Sequence, residues 1–221
     1  MVSAYKDSVD QFIGYFRDQI NSIASVTVPM YRKILYATAL DPLARAAFGN
    51  IGHHQRFVRL INTLTSWKAR NRVSLPQLNL GLRDAKRGRY RLYREVSRRL
   101  NHWPPADIIR VDASPTEAEL LPFASTDEEK VITSCRYPEL LYTYRNNLIH
   151  EFREPGYGIE MSSDTDNAYY ASMIDGPWEL VFPVGFFATT CEQAVSNLHT
   201  YLLNHQINPY TRFQFGSLWR A

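Results

Sequence analysis

The 221-residue chain has few of the features that mark several common protein classes. Its two cysteines, Cys135 and Cys191, have no motif spacing, which excludes a disulfide framework and a cysteine zinc site and favours a reducing compartment. No apolar run is long enough to span a membrane, and the first 25 residues lack the basic start and apolar stretch of a signal peptide. We therefore expect a cytoplasmic protein that does not enter a membrane.

Glycine-rich phosphate loops of the Walker and dinucleotide types are also missing from the sequence. The histidines form no metal-binding pattern. His53 and His54 are adjacent, and His199 and His205 are six residues apart, which does not place them on one helix face. The segment after His150 lacks the second histidine of a zinc-protease helix. We expect neither a metal site nor another cofactor.

Apolar residues recur at spacings of three and four along most of the chain, which predicts amphipathic helices. Pro29 and Gly49 bound the second of these, with a new turn or a kink expected at Pro42. Ser74 and Pro76 mark the start of a later one. The predicted helices cover residues 5–24, 28–49, 53–67, 78–103 with a weak point at Gly88, 130–154 with a break near Pro138, and 185–206.

The segments between and after these helices differ in composition. Residues 104–129 are rich in proline and acid, and we expect an exposed excursion there. Aromatic and branched runs around a Gly-Pro pair predict a β-hairpin over 168–184. Residues 207–221 form an irregular tail, whose aromatic side chains Phe213, Phe215 and Trp219 are expected to pack on the domain, with docking on a partner as the alternative. We predict a single domain over 1–221 with an all-α fold, an up-and-down helical bundle with a small β-hairpin insertion before the last helix.

Charge is unevenly distributed, although the net charge is only +3. Residues 83–99 contain eight basic and two acidic side chains, whereas 112–129 contain six acidic side chains and no basic one. Two interpretations of the basic segment stay open. It forms a solvated helix face that pairs with the acidic segment, or it follows an RNA backbone while its tyrosines stack on unpaired bases. The candidate RNA contacts in this segment are Arg87, Arg89, Tyr90, Arg91 and Tyr93.

The predicted helix that contains "YTYRNNLIHEFREPG", residues 142–156, combines an apolar stripe with polar side chains. At about 100° per residue, two faces can be assigned. The apolar face consists of Leu141, Tyr144, Leu148 and Phe152, and the adjacent flank of Tyr142, Asn146, His150 and Arg153. Arg145 borders the apolar stripe, roughly 140° from His150. One helix therefore does not easily direct both side chains at one small target, whereas two copies could across a shared cleft.

The three residue types in this helix suit phosphate chemistry. Histidine titrates near neutral pH and transfers protons in either direction. Arginine holds a phosphate group through its planar fork of donors. Asparagine can fix a rotamer or bind a ribose 2′-hydroxyl. Because RNA supplies its own 2′-hydroxyl nucleophile, these groups suffice in principle to cut RNA without a metal.

"RNNLIH", Arg145 to His150, resembles the R-N-x-x-x-H motif of HEPN domains, and Glu151 extends the resemblance. Residues 31–49 and 56–78 also look like the opening helices of large bacterial HEPN-like proteins. The resemblance implies an α-helical bundle, a homodimer with both motifs in one cleft, and metal-independent RNA cleavage. It assigns Arg145 to the scissile phosphate, His150 to general acid or base catalysis, and Asn146 to orienting His150 or the sugar.

The resemblance also implies partners and an alternative. Many members of the family are toxins of toxin–antitoxin or antiviral defence systems, so RNA, a second copy of the chain and an antitoxin protein are the expected partners. Arg153, beside the motif, is a further candidate RNA contact. Other members are catalytically silent modules that bind a partner protein or a nucleotide, and this second function stays open at the level of the sequence.

Overall fold

The computed structural model describes residues 2–88, 90–104, 108–156, 160, 166–172 and 177–213, and of residues 2–4 only the helical backbone. Most of these residues are helical, and one small sheet is present, which confirms the predicted all-α fold with a small β insertion. The helices are α1 (Val2–Ile23), α2 (Pro29–Phe48), α3 (His53–Leu64), α4 (Leu75–Asp84), α5 (Arg91–Leu100), α6 (Glu117–Leu120), α7 (Thr126–Ser134), α8 (Tyr137–His150) and α9 (Val184–Asn204). The strands are β1 (Ile109–Arg110), β2 (Tyr169–Ala171) and β3 (Glu179–Val181).

The chain divides into two compact units. The first comprises the described residues of Met1–Trp67, Leu148–Arg153 and Val184–Ala221, and the second those of Lys68–Asn147 and Glu154–Pro183. The division falls inside α8, between Asn147 and Leu148. The single domain expected over 1–221 stays a prediction.

The first unit is built around α9, which packs against α1, α2 and α3. Side chains from all four helices are fully buried, among them Phe12, Leu40, Phe57 and Leu198. The Asn197 side chain donates to the Leu64 carbonyl oxygen at 3.0 Å, which joins α9 to the end of α3. The apolar residues that recur at helical spacing in the sequence are therefore the ones that form the core of this unit, as predicted.

Two local predictions in the first unit need correction or completion. α2 continues through Pro42 to Phe48, so the new turn expected there is wrong, while the kink stays a prediction. Leu40 and Leu43 on either side of the proline are fully buried, and this packing favours an uninterrupted helix. Phe213, from the tail, packs edge-on against Phe12 with the ring centroids 5.7 Å apart, as expected. Tyr210 of the tail also packs edge-on against Phe12, at 5.9 Å, whereas Phe215 and Trp219 lie outside the described residues.

The predicted helix over 78–103 is wrong as a continuous element. It consists of α4 and α5, joined by a turn in which Lys86 has a left-handed φ of 56°. Leu82 of α4 and Leu92 of α5 are both fully buried in one apolar cluster of the second unit. A straight helix cannot return Leu92 to that cluster, so the chain turns between them.

The exposed excursion expected over 104–129 is wrong for the residues described there, 104 and 108–129, because they are part of the second unit. Val111 and Leu120 are buried, and Ile109–Arg110 forms strand β1. The acidic side chains cap helices: Glu119 completes a capping box with Thr116 at α6, and Glu128 completes one with Ser125 at α7. Acidic residues near helix N-termini stabilise the helices by satisfying backbone N–H groups.

The sheet belongs to the second unit and has the order β1-β2-β3. Strands β2 and β3 pair antiparallel, with Tyr170 opposite Leu180, which confirms the strand pair predicted over 168–184. β1 was not predicted and pairs with the other edge of β2, Ile109 opposite Tyr170. Tyr170 is fully buried, and its hydroxyl donates to Ser74 Oγ at 2.5 Å.

We expect Glu95 to control part of the acid stability of the second unit. Hydrogen bonds from Arg98 and Arg99 lower the pKa of the Glu95 carboxyl from 4.5 to about 2. Because the folded-state pKa is depressed, this contribution to stability is present above the unfolded-state pKa and is lost as the pH falls toward the folded-state value. Glu95→Gln should therefore flatten the loss of stability between pH 4.5 and about 2.

Urea unfolding at pH values above, inside and below this window measures the effect. Glu129→Gln, which removes an exposed carboxylate of α7, is the matched control. The same acid dependence in Glu95→Gln and wild type would contradict the assignment.

Candidate functional site

Helix α8 carries the motif residues and is anchored by its apolar face. Leu141 and Leu148 are fully buried, and Tyr144 is 4% exposed, as predicted from the stripe. Phe152, the fourth residue expected in the stripe, is instead 59% exposed. The helix ends at His150 rather than near Glu154, and Phe152 has a left-handed φ of 54°, which turns its side chain away from the helical register. Its ring contacts Tyr31, with centroids 5.7 Å apart.

Arg145 is the most constrained of the motif residues. Its side chain is 8% exposed, and Nη1 donates to Asn146 Oδ1 at 2.8 Å. Burial lowers the pKa of the guanidinium from its usual value. Because an arginine stays protonated in proteins, it remains a cation there. Asn146 therefore fixes the direction of one guanidinium nitrogen.

His150 has a different environment from Arg145. It is the last residue of α8, and its side chain is exposed to solvent. Within the part of the chain that the structure describes, no group forms a hydrogen bond or an ion pair with its ring. An exposed imidazole is accessible to a ligand, whereas a histidine bonded within its own core is not.

The motif residues lie on one helix but do not belong to one unit. Arg145 and Asn146 are in the second unit and His150 is in the first. Along α8, Arg145 lies five residues before His150, and Asn146 lies four residues before it. At about 100° per residue, the direction of the Asn146 side chain is therefore closer to that of His150 than the direction of the Arg145 side chain is. The structure brings Arg145 and Asn146 into contact.

Arg153 and the basic segment have partners on the protein itself. Arg153 pairs with Glu151 at 2.6 Å on the surface. Arg87 pairs with Asp127 at 3.2 Å, and Arg91 lies over the Phe123 ring at 4.9 Å. Of these three contacts, the Arg87–Asp127 pair joins the basic segment to the acidic segment 112–129, as the solvated-face interpretation expects.

The tyrosines of the basic segment differ in exposure. Tyr90 is 45% exposed and lies under the Arg87 guanidinium at 4.9 Å. Tyr93 is half-buried and packs against the apolar cluster of the second unit, so its ring is mostly committed to the core. Arg89 lies outside the described residues. RNA binding by the segment stays a prediction.

The two cysteines are placed for packing rather than for nucleophilic chemistry. Burial raises the pKa of the Cys135 thiol to about 11, which disfavours the reactive thiolate. Cys191 is fully buried, its pKa is raised well above the usual value, and Sγ contacts the Tyr36 carbonyl oxygen at 3.3 Å. Apart from the cysteines, the His199 ring of α9 forms a hydrogen bond through Nε2 with Asp10 Oδ1 of α1 at 2.7 Å.

Over the described residues, no group of three or more His, Cys, Asp or Glu side chains is arranged to hold a metal ion. None of the described helices has the length and the apolar character that crossing a membrane requires. Comparison with known proteins finds no matching family model, no matching curated protein and no matching solved structure. The functional assignment therefore depends on the residues themselves.

One feature beside the motif was missed from the sequence. A pocket of about 300 Å³ opens in the second unit along α8, and its lining includes Thr143, Asn147, Trp178 and Phe182. Asn147 occupies a variable position of the R-N-x-x-x-H pattern, so the motif gave no reason to select it. The aromatic residues come from the hairpin region, and only the tertiary structure brings them to α8.

Proposed function

We propose that this protein is a metal-independent endoribonuclease of the HEPN type. The proposal rests on the environments of two side chains of α8. His150 is exposed at the end of the helix, and Arg145 is buried and oriented by Asn146. The first suits proton transfer and the second suits binding of a phosphate oxygen. The resemblance of Arg145 to His150 to the family motif supports the same assignment.

The proposed reaction uses the ribose 2′-hydroxyl as the nucleophile. The 2′-oxygen bonds to the adjacent phosphorus while the bond from phosphorus to the 5′-oxygen breaks. One His150 accepts the 2′-hydroxyl proton or donates a proton to the departing 5′-oxygen. Arg145 stabilises the negative charge on the phosphoryl oxygens, an interaction that gains strength in the transition state.

We further propose that the working site needs two copies of the chain. Arg145 and His150 diverge around α8 by about 140°, so one copy does not direct both at one phosphate. A two-fold dimer with facing α8 helices provides two of each residue in one cleft. One His150 then serves as the base and its partner as the acid.

The cellular role proposed from the resemblance is the toxin half of a toxin–antitoxin or defence system in the cytoplasm. An antitoxin protein is then a second partner. Its binding is expected to block access to His150 or to the dimer interface.

The test is cleavage of a mixed single-stranded RNA by the purified protein in the presence of EDTA. We expect cleavage to persist and to leave a 2′,3′-cyclic phosphate, because internal attack forms that product without a metal. Loss of cleavage in EDTA would reject the mechanism. No cleavage of several RNAs, after removal of copurified partners, would favour the silent module that binds a protein or a nucleotide.

The ion pair between Arg87 and Asp127 allows a separate prediction about RNA affinity. If Arg87 binds an RNA phosphate, it must leave Asp127, and Asp127→Asn should tighten RNA binding by up to about fivefold, since surface pairs contribute about 0–1 kcal/mol. Replacing Arg87, Arg89 and Arg91 by alanine should lower the slope of log affinity against log salt by about 0.7 for each phosphate that is no longer bound. Fluorescence anisotropy over a salt series measures both effects.

Unchanged affinity in Asp127→Asn and an unchanged slope in the triple variant would leave residues 83–99 as a solvated face. Glu129→Gln removes a neighbouring exposed charge of α7 and controls for the general effect of net charge.

A further inference from the structure

Two exposed aromatic rings lie in the first unit, close in the chain to His150. Phe152, two residues after His150, is 59% exposed, and Tyr31 of α2 is 46% exposed. Their ring centroids are 5.7 Å apart at an interplanar angle of 46°. All three residues belong to the first unit, and the Cα atoms of His150 and Phe152 are at most about 7 Å apart, since two residues of extended chain span no more.

The backbone of Phe152 has an unfavourable conformation for a bulky side chain. Its φ of 54° lies in the left-handed region, which such residues rarely adopt. The other described non-glycine residues with a left-handed φ are Lys86 and Gln206, whose polar side chains are readily hydrated. Phe152 combines the backbone strain with an exposed ring, so the fold gains little from it. Outliers of this kind cluster at functional sites.

Arg32, the residue after Tyr31, is a cation without a counter-charge on the described part of the protein. It is half-buried, and its Nε is buried without a hydrogen-bond acceptor. Within the described ranges, neither a carboxylate nor a carbonyl oxygen pairs with its guanidinium. Partly buried cations are normally paired, and the dipole of α2 favours negative charge at its first turn, where Arg32 lies. An anionic group on a ligand would supply the missing partner.

The surroundings of the two rings favour a nucleic acid over a protein as the ligand. Val28 and Leu35 are exposed apolar residues on the same side of α2 as Tyr31, so a second copy of the chain is the competing occupant. The cores of protein interfaces are depleted in charge, whereas Arg32 and Arg153 each directly follow one of the rings in sequence. An unpaired nucleotide matches both features, because its base stacks on a ring and its phosphate pairs with a cation.

We propose that Tyr31 and Phe152 form a stacking platform for an unpaired base of the RNA substrate, and that Arg32 binds a phosphate group beside that base. The inference rests on the proposed function, because RNA is the ligand assigned there. Every base has a π-face, so the platform selects single strands over duplexes without selecting a base sequence. Since Phe152 lies two residues from His150, the stacked base belongs to the nucleotide at or next to the cleaved phosphate.

RNA binding without cleavage tests the platform. A short single strand of 2′-O-methyl RNA lacks the 2′-hydroxyl nucleophile, so fluorescence anisotropy can measure the affinity of the intact protein for it and for the matching duplex. We expect the single strand to bind more tightly. Tyr31→Leu and Phe152→Asn should each weaken single-strand binding by about fivefold to 150-fold, since stacking contributes about 1–3 kcal/mol per base. Duplex binding should change less.

Arg32→Gln should weaken single-strand binding and lower the slope of log affinity against log salt by about 0.7, the value for one phosphate contact in a single strand. The matched controls are Arg17→Gln and Tyr15→Leu, which remove an exposed cation and an exposed ring of α1. Both should keep the wild-type affinity and slope.

Urea unfolding of Phe152→Asn separates a binding role from a structural one. Asparagine tolerates the left-handed conformation, so this variant should keep the wild-type midpoint while it loses RNA affinity. A lower midpoint with unchanged RNA affinity would assign the ring to the fold and overturn the inference.

Three further results would overturn it: no binding of single strands by wild type, unchanged affinity in both ring variants, or an equal loss for single strand and duplex. A shifted monomer–dimer equilibrium in sedimentation, with unchanged RNA affinity, would assign the rings to a second copy of the chain and overturn it as well.

Cleavage of unmodified RNA separates the inference from the proposed function. Cleavage that requires His150 but neither ring rejects the platform and keeps the nuclease. Single-strand binding that requires both rings, without any cleavage, keeps the platform and rejects the nuclease.

Discussion

His150→Ala is expected to lower the rate of RNA cleavage by roughly a hundredfold to ten-thousandfold, the usual range for loss of a general acid or base. Folding should be unaffected, because the His150 side chain is exposed at the end of α8. Substitutions at exposed positions away from special contacts change stability by about 0.5 kcal/mol or less. The measurement combines cleavage rates with urea unfolding of the same preparations.

The matched control is His54→Ala, which removes another exposed histidine, from the start of α3. It should keep the wild-type cleavage rate. Equal cleavage by His150→Ala and wild type would reject the role of His150. Mixed dimers provide a second check on the shared cleft. A dimer of one wild-type chain and one His150→Ala chain should lose most of the activity, because the cleft then holds the base or the acid but not both.

Ser74→Ala is expected to have a large effect on stability. Ser74 is fully buried, and its Oγ accepts from the Gln77 N–H at 3.2 Å and from the Tyr170 hydroxyl at 2.5 Å. Loss of an N-cap costs about 0.5–2 kcal/mol, and a buried hydroxyl that loses its acceptor costs about 1–3 kcal/mol. We expect a total decrease of about 2–4 kcal/mol in the free energy of unfolding.

Thr116→Ala is the control, because Thr116 caps α6 together with the exposed Glu119 and, among the described residues, has no buried tyrosine as a partner. It should lose only the capping contribution of about 0.5–2 kcal/mol. The double variant Ser74→Ala with Tyr170→Phe should be less destabilised than the sum of the two single changes, because both partners of the buried bond are then removed. Strict additivity would contradict the assigned coupling.

The spacing of apolar residues in the sequence was enough to predict those helices that bury a single face. The apolar spacing of α1 and α9 was sufficient, since these residues pack along one side of each helix. Ser74 and Pro76 were correctly identified as start signals of α4, because a cap depends on the residues next to it. The positions of Leu141, Tyr144 and Leu148 on the buried face of α8 followed from the same periodicity.

Long-range packing decided the elements that local pattern placed wrongly. The break between α4 and α5 exists because Leu82 and Leu92 pack into one apolar cluster. Helix propensity, which depends on neighbouring residues only, does not predict that packing. Strand β1 needs β2 as its partner, and the two are far apart in sequence. The end of α8 at His150, with Phe152 exposed, depends on a left-handed backbone turn that the apolar stripe did not indicate.

By itself, the sequence determined the candidate chemistry: Arg145, Asn146 and His150 on one helix, at intervals fixed by helical geometry. The tertiary structure decided how each residue can act, because burial and neighbours depend on packing. It buried Arg145 against Asn146, left His150 exposed and paired Arg87 with Asp127. It also brought Trp178 and Gln77 to the wall of a pocket beside Asn147. Residues this distant in sequence meet only through the fold, since burial of apolar surface, rather than local propensity, fixes which segments become neighbours.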